Sequence, residues 1–325
     1  FKKENKHWLY PYATFCVLRD KNKSAEFGKW GEESVYSKER VFSLSGYAKE
    51  YKNEIDYYIF LQYHAHKQML EVKEYAHGKN VALKGDLPIG VARHGVDAWQ
   101  FPSLFNFGMQ AGAPPDAFSD KGQNWGFPTY NWENMEKDNY SWWRERLKHM
   151  SKYFDAYRID HVLGFFRIWE IPISTAESSK GHFSPSLPYS AKEIYDMTGL
   201  EAAKNKALFI EDPDKPNFYH PAIKALNSDQ YKKLSEPARK KVEKLHNDFF
   251  YHRNEKLWYD NAMKKLQQLI AATNMLPCAE DLGMLSESVG KCLKDLKILS
   301  LEVQSMPKMG MDNGTGIGDP QKYPY

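Results

Sequence analysis

Cysteine is scarce in this 325-residue sequence, which contains only Cys16, Cys278 and Cys292. An odd count without a CxxC pair supports neither a disulfide framework nor a thiolate zinc site. A reducing compartment suits such a chain, and the expected location is the cytoplasm. Long apolar runs are missing too. None approaches the roughly 18 residues that a membrane-spanning helix needs, so no membrane partner is expected. The first residues, FKKENKHW, lack an initiator Met and the apolar core of a signal peptide. They read as a cut from a longer chain. Charge imbalance is also lacking: 45 Lys and Arg face 42 Asp and Glu, a net +3 scattered along the sequence. A nucleic-acid partner calls for a concentrated basic face, so none is expected. The densest basic run, Arg239 to Lys241, lies between Glu236 and Glu243 and reads as a solvated helix face.

Cofactor signatures are absent as well. No HExxH pattern occurs, and His64 and His66, two apart on a helix, cannot face one metal ion. GDLPIGVARHG lacks the glycine spacing and lysine of a phosphate loop. No metal and no cofactor are predicted. There is no internal repeat and no low-complexity tract.

What the chain has in quantity is aromatic surface, 15% of residues, with 9 Trp and 21 Tyr. Trp and Tyr combine flat apolar faces with a polar handle. Such faces suit the C–H surfaces of sugar rings, although core packing also uses them. The rest of the composition, 42% hydrophobic and 27% charged, is that of a globular protein.

Residues 7–19 read as a short helix or a turn plus helix. From Tyr58, apolar positions Leu61, Ala65, Met69, Val72 and Ala76 recur at steps of three and four, one face of an amphipathic helix. Gly78 follows as a helix stop. Four short apolar runs then read as strands, at about 82–87, 156–161, 275–280 and 297–303. Helical patterns lie between them, at 138–152 and 241–273. Alternating strands and helices favour a parallel sheet of βα units. Residues 107–130, rich in Gly and Pro, read as a long loop, which in a compact domain is usually functional.

Three of these strands end in acids: Asp86, Asp160 and Glu280. In (β/α)8 barrels catalytic groups sit at the C-terminal ends of strands. Two converging carboxylates are the usual equipment for breaking a glycosidic bond. Arg158 beside Asp160 would keep that aspartate ionised, as a nucleophile requires. Glu280, next to Asp281, is the better proton donor. Asp86, before Leu-Pro, reads either as a cleft residue or as an acid satisfying backbone donors at a turn. Asp281 should point away from Glu280.

The blocks GDLPIGV, AGAPPDAFSDKGQNWGFPTYNW, YRIDHVLGFFRIWEIP and CAEDLGM resemble those of the 4-α-glucanotransferases, the amylomaltases or disproportionating enzymes of glycoside hydrolase family 77. The resemblance runs from HWLYPYATF to ILSLEVQSMPK. It implies that Asp160 is the nucleophile and Glu280 the general acid/base. By the same resemblance Arg158 and His161 bind glucose in the donor subsite and Asp86 lines the cleft. Asp116, Gln123 and Trp125 would belong to a loop covering bound glucan. The implied ligands are maltose, maltooligosaccharides and glycogen- or starch-like glucans.

Two departures refine this. The long separation of RIDH from AEDLG resembles the type 2 disproportionating enzymes, which pass glucose from maltose to a polysaccharide. The family's third acid, a His-Asp pair on a later strand, has no match before Tyr325, and its first barrel strands have none ahead of Phe1. The expected fold is therefore an α/β (β/α)8 TIM barrel, incomplete at both ends. Residues 1–172 and 266–325 would supply barrel parts, and 173–265 a mainly helical insertion. The chain would continue covalently into further barrel strands, with starch-binding domains among the candidate neighbours. The rivals are an α-glucan hydrolase and a non-catalytic glucan-binding piece.

Overall fold

The computed structural model describes residues 1–46, 51–115 and 119–303. Its centre is a parallel four-stranded sheet in the order Lys84–Leu87, Ala156–Ile159, Leu276–Ala279, Leu299–Ser300. All four expected strands are present, each shorter than its apolar run. The first three are level at their ends, with Leu87 opposite Ile159 and Ile159 opposite Ala279. Side chains alternate along a strand. Hence Leu87, Ile159 and Ala279 share one face, where all three are buried. Asp86, Arg158 and Cys278 share the other.

Helices Ser141–Met150, Glu255–Ile270 and Glu287–Asp295 supply the main core with Trp143, Leu147, Trp258, Leu266 and Leu293. A separate apolar cluster joins two long N-terminal helices, Lys2–Asn22 and Lys52–His77, through Leu9, Ala13, Val17, Ile55 and Ile59. The first of these is longer than its pattern suggests and keeps Pro11 in its interior. Burial of Leu9, Ala13 and Val17 offsets the hydrogen bond that proline removes. Gly78 sits at the end of the second helix in a right-handed conformation, and the left-handed residue that turns the chain is Asn80 (φ 55°).

The stretch read as a long loop, 107–130, carries three short strands, Met109–Ala113, Gln123–Asn124 and Thr129–Tyr130. Met109–Ala113 pairs antiparallel with Gln123–Asn124 on one side and Ile168–Pro172 on the other, and His182–Ser184 completes this layer. Gly112 belongs to the pairing, since a Cβ there would lie 2.1 Å from the Gln123 carbonyl oxygen. The glycine marks a close backbone approach inside a sheet and not a flexible link.

Residues 173–265 add no strand to the central sheet. Beyond their helices they hold a three-stranded antiparallel sheet, Phe209–Glu211, Phe218–Pro221 and Tyr189–Ser190, that residue patterning did not foresee. Strands of two to four residues are too short to show a period. Helix Glu236–Asp248 continues through a wide turn, Phe249–Arg253, into Glu255–Ile270, which leads back to the strand before Glu280.

Lys265 is an anomaly in this core. It is 3% exposed, donates to the Phe165 carbonyl (2.9 Å) and lies 4.3 Å from the Trp132 ring centre. Burial pushes its pKa down to about 7, and Lys264 adds to the effect. The unfolded chain, with a lysine pKa near 10.4, binds more protons than the folded one between the two values. This residue therefore makes stability rise as pH climbs from about 7 to 10, with a slope of at most about 1.4 kcal/mol per pH unit. In the natural polypeptide, Lys265→Met should flatten that rise. Urea midpoints across this pH range check it, and parallel wild-type and variant slopes would refute it.

Candidate active site

The site is built where the central strands stop. Arg158, on the sheet face shared with Asp86, extends its guanidinium between two carboxylates. Nη1 donates to both oxygens of Asp86 (2.8 Å each) and Nη2 to Oδ1 of Asp160 (2.9 Å). Asp160 lies one residue past the strand, its N–H still bonded to the Leu87 carbonyl (3.0 Å). The chain then reverses through His161, which takes a left-handed conformation (φ 46°). That geometry is uncommon for a residue with a Cβ and collects at functional sites. The reversal lets Val162 N–H reach the Glu280 carbonyl (2.9 Å).

Glu280 is fixed from two directions. The His161 N–H donates to Oε2 (2.9 Å) and the Leu282 N–H to Oε1 (2.8 Å). Burial nonetheless raises its pKa, working against those two bonds; the Asp160 charge also raises it and Arg158 opposes the rise. The His161 ring is pushed down to about pKa 4 by burial and by the nearby Arg167 charge, so it is neutral at physiological pH. One strand end thus holds a carboxyl paired with a cation, and its neighbour a carboxyl whose pKa burial raises.

Both acids face one cavity of ≈ 640 Å³, lined also by His161, Gln123 and Trp125. Trp125 stacks on Phe127 (ring centres 5.6 Å apart) and meets His161 edge-on at 4.9 Å. Its indole N–H donates to the Gln123 side chain (2.9 Å). The antiparallel layer therefore carries an aromatic face to the rim above the acids. Asp86 stands apart. Its side chain is 62% exposed and lines a neighbouring cavity, with Arg158 between it and Asp160. Arg158 is half-buried between the two acids rather than at the cavity wall. Asp116 lies outside the described residues.

Reading of the sequence passed over Arg167, which lines the same cavity and is only 2% exposed. The one signal for it was a charge inside the apolar run GFFRIW. Among the described residues no group of three His, Cys, Asp or Glu is arranged to hold a metal ion. None of the described helices is long and apolar enough to cross a membrane.

Comparison with known proteins adds an independent line. The family model described as 4-alpha-glucanotransferase, of glycoside hydrolase family 77, matches residues 1–325. The chain is 34% identical over 400 residues to the 4-alpha-glucanotransferase DPE2 of rice (Oryza sativa subsp. japonica), covering all of this chain and 42% of that protein. A 4-alpha-glucanotransferase of Chlamydia pneumoniae is 36% identical over 188 residues, 58% of this chain and 34% of its own. The chain thus spans less than half the length of these relatives. An amylomaltase from Streptococcus agalactiae, solved in complex with acarbose, shares the fold at TM-score 0.63 and 23% identity, over 94% of this chain and 48% of that one. The chain belongs to the 4-alpha-glucanotransferase family, glycoside hydrolase family 77.

Proposed function

We propose that the protein containing this chain transfers glucosyl or 4-α-glucanosyl units from maltose or maltooligosaccharides to a glycogen- or starch-like acceptor in the cytoplasm, with retention of configuration. The observation that carries the reading is the pair of acids on adjacent parallel strand ends, facing one cavity, with Arg158 bonded to Asp160 and burial raising the pKa of Glu280. Asp160, paired with Arg158, attacks the anomeric carbon. Glu280 gives its proton to the departing glycosidic oxygen. The covalent glycosyl-enzyme then meets a sugar hydroxyl, which Glu280, now a base, deprotonates as it attacks. Trp125 and Gln123 line the wall where a sugar ring would rest, and a glucan under the cover layer would leave little room for water. That favours transfer over hydrolysis. Asp86 acts through Arg158, and Asp116 would belong to the same cover.

The central sheet reads as four strands of a (β/α)8 barrel, with residues 173–265 as an insertion beside it. Closure of such a barrel takes eight strands, and a further carboxylate that stabilises positive charge on the sugar ring would assist the two acids. The match to rice DPE2 supports placing the chain with type 2 disproportionating enzymes.

Two expected outcomes test the reading in the natural polypeptide. Asp160→Asn should lower kcat for maltose-to-glycogen transfer by roughly 10³-fold or more, and Glu280→Gln by about 10²–10⁴-fold. Glucose release and the lengthening of glucan products, followed together, measure both; near-wild-type turnover in either variant would remove the mechanism. The second outcome concerns pH. Glu280 must be protonated to start the first step, so kcat/KM should fall as pH rises through its folded-state pKa. Because burial raises that value, the alkaline limb should lie above the ordinary glutamate range. A limb lying at or below the usual range near 4.3 would contradict the assignment.

A further inference from the structure

We infer that Arg167 and Glu255 form a buried charge pair that clamps the segment following Glu280, making the insertion helix that bears Glu255 part of the machinery that positions the acid/base. The inference rests on the transfer reading for its activity measurements, but its structural content is separate. Arg167 follows the short helix Leu163–Phe166, just beyond the nucleophile strand. Its Nη2 donates to the Met284 carbonyl (2.7 Å), and its guanidinium lies 4.6 Å from the Phe183 ring centre and 4.2 Å from that of Trp258. Nε and Nη1 are buried without an acceptor. Glu255 opens helix Glu255–Ile270. Its Oε2 accepts from the Ser288 N–H (2.8 Å) in the first turn of Glu287–Asp295, and its Oε1 is buried without a donor.

The unsatisfied atoms are complementary: two donors on Arg167 and one acceptor on Glu255. The guanidinium packs on Trp258, three residues after Glu255 on the same helix, and the negative charge of Glu255 acts on it there. A buried charge without a counter-charge costs more than one in a compensated pair, and these two side chains, which share no direct hydrogen bond, would be joined through one water. The two side chains grip a single segment. Leu282 N–H holds Glu280, Met284 is held by Arg167, and Ser288 by Glu255. Three anchors within seven residues leave the acid/base carboxyl little freedom. An error of about 1 Å in such a group costs about 10² in rate. Arg167 and Glu255 are positioning residues in this scheme and touch no reacting atom.

The test uses the natural polypeptide with Arg167→Met, Arg167→Lys, Glu255→Gln and the double variant Arg167→Met/Glu255→Gln. Methionine preserves packing between Phe183 and Trp258, and lysine preserves the charge and one donor to Met284. Transfer from maltose to glycogen is measured across pH, and thermal unfolding is measured on the same samples. The Met and Gln single variants should each lose about tenfold or more in kcat, with KM little changed. Their alkaline limb should move to higher pH, because a loosened Leu282 N–H no longer favours the glutamate anion. Lysine should recover part of the loss. The double variant should be no worse than the poorer single variant, in activity and in melting temperature, because both buried charges leave together. Additive losses, or an alkaline limb that stays put while activity tracks only the folded fraction, would overturn the clamp. If Arg167→Met does not fold, folding of the double variant supports the pair and failure of both the double and the lysine variant refutes it. Absence of transfer by the unmutated protein would instead sink the transfer reading, and the unfolding cycle would still decide the pair.

Discussion

Register between parallel strands is the constraint on which the site depends. Leu87, Ile159 and Ala279 lie side by side, so the residues after Ile159 and Ala279 leave the sheet at one level. A slip of one residue would turn Asp160 or Glu280 to the opposite face, because the side-chain period of a strand is two. Two backbone bonds continue the ladder past the strands, from Asp160 N–H to Leu87 and from Glu280 N–H to Ile159. The buried face of Leu87, Ile159 and Ala279 holds that register, since a slip of any one strand would turn its member of the three out of that face. The placing of the two acids is therefore set by apolar residues outside the cavity that the acids face.

The left-handed turn at His161 follows from the same requirement. To bring a backbone N–H to the Glu280 carboxyl, the chain must bend sharply just after Asp160. A residue with a Cβ in this conformation carries strain of order 1 kcal/mol or more. The bond to Glu280, the return bond from Val162 to the Glu280 carbonyl and the edge contact with Trp125 all act against that strain. One residue thus links the strand before Asp160, the Glu280 carboxyl and the Trp125 ring.

The parts of this arrangement that could be read from sequence were those with a short-range signature. GDLP, YRIDH and CAEDLG each place an acid at the end of an apolar run, and the strands and their order of acids followed from that. The strands inside 107–130 are hidden in the sequence because Gly112, Pro114 and Pro115 resemble loop residues when counted. Only the approach of the Gln123 carbonyl explains why glycine stands at position 112. The small sheet of the insertion was invisible because its strands are too short to alternate detectably. Arg167 was passed over because its role depends on Met284, Trp258 and Glu255, all more than eighty residues away in sequence and brought near only by the return of helix Glu255–Ile270.

The two acids also show how similar side chains acquire different tasks. Asp160 has a full cation at 2.9 Å and remains partly open to solvent. Glu280 is more deeply placed and receives only peptide N–H groups. A hydrogen bond from a charged donor stabilises a carboxylate more than one from a neutral amide, while burial penalises the charged form of either. For Glu280 burial outweighs the two amides. Asp86 fixes the cation on the other side by holding Nη1 with both of its oxygens, on the strand farther from Glu280. An acid outside the cavity thereby keeps the guanidinium beside one of the two acids inside it.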